Sequence, residues 1–170
     1  MPRTDSRCPA REMQAPRAGP PMPCFLGRTI ATAARPWDAW KMPSWTDVKL
    51  LAASRYKMIH DDGESFEVLF DYKTGRHQKI MVTHLHAFNV PWIRFRSFVC
   101  HRNDMDPLVA LAWNAELSLG ALALIDDHYA VLHTTALDTL DPEEFDRPLR
   151  IISIVADKLE KDYTRGKDIF

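Results

Sequence analysis

The sequence has no long apolar run, and this absence argues against a membrane-spanning helix. A helix that crosses a bilayer needs roughly 18–20 consecutive apolar residues, and no stretch of the chain approaches that length. The apolar patch at residues 24–27 is too brief for the centre of a secretory signal. The formal net charge of −1 provides no general attraction to nucleic acid or anionic lipid. We therefore expect a soluble protein with no membrane insertion and no nucleic-acid partner.

Cysteine is also scarce. The chain has Cys8, Cys24 and Cys100, an odd number at spacings that suit neither disulfide bonds nor a metal site. This usage is typical of a reducing compartment, so we expect a cytoplasmic protein. The sequence contains no Cys-x-x-Cys or His-Glu-x-x-His motif, and we expect no cofactor.

Proline is unevenly distributed along the chain. Eight of the twelve prolines lie within residues 1–43, together with seven Arg or Lys and only three acids. Proline removes amide donors and blocks helix formation, and this segment has too little apolar surface to offset the entropy of ordering it. We expect an arm that is disordered alone or ordered by a partner. Two alternatives are a start of translation at Met42 and a targeting peptide.

Residues 44–166 have the regular periodicities of a single α+β domain, and residues 167–170 form a short tail. Ser44 and Asp47 have the spacing of a capping box at the start of an amphipathic helix. Alternating apolar and polar residues then predict three strands joined by short links, over residues 65–72, 77–88 and 92–101.

A second helix and a hairpin follow. Asp106 is a candidate cap with Pro107 in the first turn, and Leu108, Leu111 and Ala112 give this helix an apolar face. The next two alternating segments read as a hairpin over residues 120–126 and 129–137.

The last predicted helix is long. It opens at Asp141 and Pro142, has apolar residues at helical spacing, and ends at Gly166. Pro148 lies inside this pattern and is expected to kink or restart the helix. The element order is α-βββ-α-ββ-α. We therefore predict an α+β fold in which a five-stranded antiparallel sheet has its helices packed on one face.

The C-terminal half resembles YbjN-like proteins and type III secretion chaperones of the CesT/Tir-chaperone class. The resemblance is carried by a helix ending in Asn114 with Gly120, by a strand at residues 121–126 followed by Val131 and Leu132, and by Leu140, Asp141, Glu143, Glu144 and Phe145 at a helix start. The sequence departs from the family pattern in residues 121–127, and residues 1–43 have no counterpart. The resemblance implies a bacterial, non-catalytic and usually dimeric protein that binds an extended segment of another polypeptide or acts as an adaptor.

The third predicted strand carries the candidate partner-binding residues. Ile93, Phe95 and Val99 share one face, which we assign to the core. The other face carries a mixture of arginine and aromatic side chains, the types enriched where proteins meet: Trp92, Arg94, Arg96 and Phe98. The alternative is a solvated face on which the arginines pair with the acids of the first strand, Glu67 and Asp71.

Two histidines provide a different hypothesis. His84 and His86 lie two residues apart on a predicted strand, so both side chains leave the same face and could ligate a metal. A catalytic zinc would need a third protein ligand, and no motif supplies one. The alternative is a partly solvated surface or a dimer seam that responds to pH near neutrality.

No catalytic site is predicted. Cys100 and His101 are adjacent on a strand and should point to opposite faces, so we interpret Cys100 as a small buried side chain rather than a nucleophile. The sequence favours a non-catalytic protein-binding module, chaperone- or adaptor-like and homodimeric. The alternatives are a small metal- or ligand-binding sensor or enzyme using His84 and His86, and a permanent accessory subunit of a larger complex held by the N-terminal arm.

Overall fold

A computed structural model of the chain describes residues 43–170. The predictions for the arm therefore lie outside the described residues, apart from Pro43 at its end. In chain order the helices and strands are α1 (Trp45–Arg55), β1 (Lys57–Asp61), β2 (Ser65–Asp71), β3 (His77–Ala87), β4 (Val90–His101), α2 (Pro107–Glu116), β5 (Ala121–Ile125), β6 (His128–Ala136) and α3 (Pro142–Tyr163).

The six strands form one antiparallel sheet in the order β1-β2-β3-β4-β6-β5. The first four strands follow each other as a meander, because short turns connect neighbouring antiparallel strands. Residues from all three helices share one buried cluster with the strands, among them Val48 of α1, Ala110 of α2 and Leu149 of α3. The fold is thus mixed α/β with its helices on one face of the sheet, as the sequence predicts.

The predicted strand number was wrong, since the sheet has six strands and not five. The missing strand is β1, which pairs with β2 and forms an edge of the sheet. Its five side chains are almost all exposed, so the segment lacks the alternation that marks a half-buried strand. Backbone pairing with β2 holds it instead, through a tight turn in which Asp62 accepts hydrogen bonds from the amides of Glu64 and Ser65.

The helix caps confirm the predicted starts of α1 and α3. Ser44 and Asp47 form a complete capping box at the start of α1. Asp141 and Glu144 form a second one at the start of α3. Pro148 was predicted to kink or restart the helix, and the restart is wrong, because α3 continues as one helix of 22 residues with Pro148 buried inside it. Burial of the apolar face of α3 on both sides of Pro148 offsets the missing hydrogen bond.

Alternation along the central strands separates the core from the opposite face of the sheet. Ile80 and Val82 of β3 and Ile93 and Phe95 of β4 are fully buried under the helices. Phe145 of α3 packs against Phe95 with ring centroids 5.8 Å apart. The intervening residues of β3 and β4 therefore face away from the core.

Gly120 occupies a position that only glycine fits. Its φ is +78°, and a Cβ there would lie 2.8 Å from the backbone oxygen of Leu132. Gly75 has nearly the same φ, +81°, but has no neighbouring atom within 4 Å of its Cβ position.

Comparing Gly75 with Gly120 separates the cost of a left-handed backbone from the cost of a steric clash, because the two residues have similar φ and only Gly120 has a close neighbour. We expect Gly75→Ala to lower the free energy of unfolding by about 1–2 kcal/mol, the cost of a left-handed L-residue. Gly120→Ala should lower it by about 1–3 kcal/mol more, because the backbone of β6 must also move. Urea unfolding of the two variants measures the difference, and equal losses would contradict the close approach at Gly120.

Candidate functional site: the open face of the sheet

The side of the sheet opposite the helices is partly exposed and carries the predicted partner-binding residues. We call this surface the open face; it comprises Glu67, Asp71, Lys79, Met81, Leu85, Trp92, Arg94, Arg96, Phe98, Leu132 and Thr134. Strand register brings these side chains together, since Arg96 lies opposite both Met81 of β3 and Leu132 of β6. Trp92, Arg94, Arg96 and Phe98 thus share one face, as predicted from the sequence.

The two arginines of the open face contact uncharged groups. Arg94 Nε lies 3.5 Å from Thr134 Oγ1. Arg96 Nη2 lies 2.9 Å from Met81 Sδ, and the Arg96 guanidinium stands 5.0 Å from the centroid of the Phe98 ring. Such a cation–π contact leaves most guanidinium hydrogen-bond donors available.

The alternative in which these arginines pair with neighbouring acids does not hold within residues 43–170, where neither Arg94 nor Arg96 forms an ion pair. Asp71 is 3.3 Å from Lys57 Nζ instead. Within the described residues, both guanidinium groups therefore keep an unneutralised positive charge.

A shallow apolar pocket of about 230 Å³ lies beside Trp92 and Arg94. The indole Nε1 of Trp92 donates a hydrogen bond to Ala87 O at 3.1 Å, which orients the ring across the β3–β4 turn. The tip of that turn is Phe88, whose surface is 95% exposed. Sequence reasoning assigned Phe88 to the end of a strand and missed it as a surface feature. The turn residues Phe88 and Asn89 both have positive φ, 54° and 61°, and the asparagine was the available signal.

A second pocket, of about 140 Å³, lies at the other end of the row of aromatic and arginine residues. Its lining includes Lys79, Met81, Arg96, Phe98 and Phe170. Phe170 belongs to the predicted tail and was not expected here. Its ring centroid is 5.7 Å from that of Phe98 and 5.4 Å from that of His128.

His84 and His86 lie on the helix side of the sheet, not on a polar strand face. Their rings are 4.7 Å apart, and His84 stacks on Trp45 of α1 with centroids 5.3 Å apart and planes 10° apart. Burial and the charge of His86 lower the pKa of His84. Among residues 43–170 no group of three or more His, Cys, Asp or Glu side chains could hold a metal ion. His84 is therefore placed as a packing partner of α1.

Cys100 is fully buried on the helix side, as predicted. Burial and the nearby charge of Asp104 raise the pKa of its thiol to about 11. A thiol with this pKa is almost entirely protonated at neutral pH, and the thiolate is the nucleophilic form. His101 lies on the other face of β4, where its ring contacts His128. The two residues do not form a catalytic pair.

Helix α2 exposes the apolar face that the sequence pattern assigned to it. Leu108 is 74% exposed and Leu111 is 64% exposed, whereas Ala110 is the buried residue of the helix. Two anchors hold α2 in this orientation. Trp113 donates a hydrogen bond to the hydroxyl of Tyr163, and Asn114 forms two with the backbone of Leu122. The leucines are thus available for contact with another molecule.

No helix in the described part of the chain is both long enough and apolar enough to cross a membrane.

No model of a known protein family matches the chain. No curated protein matches it either. Among solved structures, the chain is similar to a chain of the HopA1-SchA chaperone-effector complex, with a TM-score of 0.52 and 10% sequence identity. The match covers 68% of this chain and 91% of the other. At this identity the likeness concerns the fold alone.

The lowered pKa of His84 predicts how stability varies with pH. When the folded-state pKa lies below the unfolded value of about 6.5, the unfolded chain binds more protons in the interval between the two values. This histidine therefore makes the free energy of unfolding fall as pH decreases from about 7 to about 5. His84→Gln should reduce that fall.

Urea unfolding at a series of pH values measures the effect as the difference between His84→Gln and the unsubstituted protein. Above about pH 7 both folded and unfolded His84 are neutral, so the two proteins should run parallel there. Curves that stay parallel down to pH 5 would contradict the lowered pKa.

Proposed function

We propose that the chain is a non-catalytic protein-binding module of the chaperone or adaptor kind, acting in the bacterial cytoplasm. It binds an extended segment of another polypeptide across the open face. Kinship with the CesT/Tir chaperones and with YbjN-like proteins belongs to this proposal, and the likeness in fold to a chain of a chaperone-effector complex supports it.

The observation that carries the proposal is the composition of the open face. Arg94 and Arg96 are not neutralised by acids of the described chain, and they alternate with Trp92 and Phe98 along one strand. Aromatic side chains supply apolar contact area, and arginines supply directional bonds to carboxylates and backbone carbonyls. An extended segment with alternating apolar and acidic side chains matches this pattern, because its residues have the same two-residue period as the strand beneath it.

The metal-dependent alternative receives less support from the geometry. His84 is stacked under Trp45, and the Nε2 atom that would ligate a metal is buried. The accessory-subunit alternative differs from the proposal only in the permanence of the complex, and it depends on residues 1–41. Both alternatives are separable from the proposal by experiment.

A pull-down from the native lysate, read by mass spectrometry, tests the partner surface. Arg94→Ala/Arg96→Ala should lose a defined partner that the unsubstituted protein retains, since charge-assisted contacts to arginine contribute about 1.5–3 kcal/mol each. The matched control is Arg147→Ala/Lys161→Ala, which removes two exposed positive charges from α3. Loss in both double variants would indicate a net-charge effect.

An unchanged partner list in Arg94→Ala/Arg96→Ala would contradict binding at the open face. Deletion of residues 1–41 is the third arm of the experiment. If the complex survives the arginine substitutions and is lost on deletion, the accessory-subunit alternative replaces the proposal. Stoichiometric zinc or iron in the purified protein would favour the metal-dependent alternative.

The proposal includes a homodimer formed through α2. Leu108 and Leu111 are three residues apart on one helix face, and both are largely exposed. Leucines in this arrangement are typical of a helix that packs against another apolar surface. A second copy of α2 offers a surface of the same kind, and self-complementary contacts of this sort produce two-fold dimers.

Sedimentation equilibrium tests the dimer. The unsubstituted protein should have twice the monomer mass, and Leu108→Glu/Leu111→Glu should have the monomer mass, because a desolvated carboxylate in an apolar interface is strongly unfavourable. Leu50→Glu, at an exposed leucine of α1, is the control and should remain dimeric. A monomeric unsubstituted protein, or a dimer that survives both substitutions on α2, would contradict this interface.

A further inference from the structure

The segment that follows α3 returns to the sheet and is held there by a buried carboxylate. Glu160 of α3 is fully buried, and its Oε1 accepts hydrogen bonds from the backbone amides of Ile169 at 2.6 Å and Phe170 at 3.1 Å. Hydrogen bonds to a buried charged group are among the stronger ones in proteins. The backbone of residues 169–170 is therefore fixed relative to α3.

Arg76 completes this attachment. Its Nη2 donates to Glu160 Oε2 at 2.7 Å and its Nε to Asp157 at 2.6 Å. Its Nη1 donates to the backbone oxygens of Gly166 and Lys167, both at 3.1 Å. One mostly buried guanidinium thus connects the β2–β3 turn to α3 and to the segment beyond it.

Asp168 adds a contact to His77 at the start of β3. Its carboxylate accepts hydrogen bonds from the His77 backbone amide, and one of its oxygens is 3.2 Å from His77 Nδ1. Residues 166–170 are therefore bonded to the domain at almost every position. This anchoring directs the Phe170 ring onto the open face, against Phe98 and His128.

The surroundings of Phe170 have the chemistry of an acceptor for an aromatic side chain. The rings of Phe98 and His128 contact the Phe170 ring. The pocket that Phe170 helps to line also has the thioether of Met81, the guanidinium of Arg96 and the charged groups of Glu67 and Lys79 in its wall. Aromatic rings and methionine sulfur make favourable contacts with a further ring, and arginine attracts its π face.

We infer that Phe98 and His128 form a subsite for an aromatic side chain at this end of the open face, which the Phe170 ring of this same chain occupies. This inference rests on the proposed function for its partner, a polypeptide that presents a phenylalanine-like side chain at this position. Such a partner must displace the Phe170 ring, while the bonds of residues 166–169 to Arg76 and Glu160 persist. The segment thereby competes with partners for one end of the open face.

The test uses Phe170→Ala in the full chain, with anilinonaphthalene sulfonate as an aromatic anionic probe. An aromatic pair is worth roughly 2- to 10-fold in an equilibrium constant. We expect the affinity for the dye to rise by a factor of that order in Phe170→Ala and to return to its original value in Phe98→Ala/Phe170→Ala. Ile169→Ala, which alters an exposed side chain of the same segment, should leave the dye affinity unchanged.

A second measurement verifies the contact itself. The NMR signals of the His128 ring should shift in Phe170→Ala, because the Phe170 ring lies edge-on to it. An unshifted His128 signal, no gain of dye affinity, or a gain that Phe98→Ala does not reverse would each overturn the inference. None of these results depends on the pull-down, so the subsite can stand if the partner proposal fails, and the reverse also holds.

Discussion

The packing of α3 across β4 is the interaction on which the rest of this structure depends. Phe145, Leu149 and Ile152 of α3 are fully buried with Phe95 beneath them. Each such side chain contributes about 1.5–3 kcal/mol when it leaves water. A slip of β4 by one residue would place Arg94 under α3, and an unpaired guanidinium there would be strongly unfavourable. The helix therefore fixes the register of β4, and the register fixes the arginines on the open face.

The buried ion pair between Arg76 and Glu160 has a different role. Burial raises the pKa of Glu160, while the amides of Ile169 and Phe170 and the charge of Arg76 lower it. Burial has the largest effect on the pKa, so the charged form of Glu160 is costly to bury. A buried apolar residue could stabilise the fold at least as well, and stability alone does not account for the carboxylate. Its contacts specify where the β2–β3 turn and residues 169–170 lie. Apolar packing determines the layers of this fold, and the Arg76–Glu160 pair determines where its last segment lies.

The elements predictable from the sequence are those whose stability comes from local patterns. α1 and α3 carry their capping boxes in contiguous residues, and the face assignments of Ile93 and Phe95 follow from strand alternation. The strand β1 was missed because its side chains are almost all exposed and show no apolar–polar alternation, whereas β5, the other edge strand, has a partly buried pattern and was predicted.

The candidate site was predictable only in part, for a related reason. Arg94 and Arg96 could be placed on one face by counting residues, but whether they pair with the acids of that face depends on distances across the strands, and Asp71 pairs with Lys57 instead. Phe170 reaches the open face through contacts to Arg76, about 90 residues earlier in the chain. Contacts between residues so far apart in the chain produce no periodic pattern of apolar residues, so the sequence does not predict them. The apolar face of α2 was predictable from the sequence, but its outward orientation was not, because it is set by the hydrogen bonds of Trp113 and Asn114.

The distribution of charge on the open face argues for a polypeptide partner over a nucleic acid. A protein that binds nucleic acid neutralises several phosphates and needs a continuous field of cations. Here Lys79, Arg94 and Arg96 share the face with the carboxylates of Glu67 and Asp71, so a phosphate backbone would meet repulsion as well as attraction. A polypeptide segment can alternate acidic, neutral and aromatic side chains to match such a mixture. If the proposed function holds, the same mixture would disfavour any partner of uniform charge, and the order of side chains along the bound segment would determine specificity.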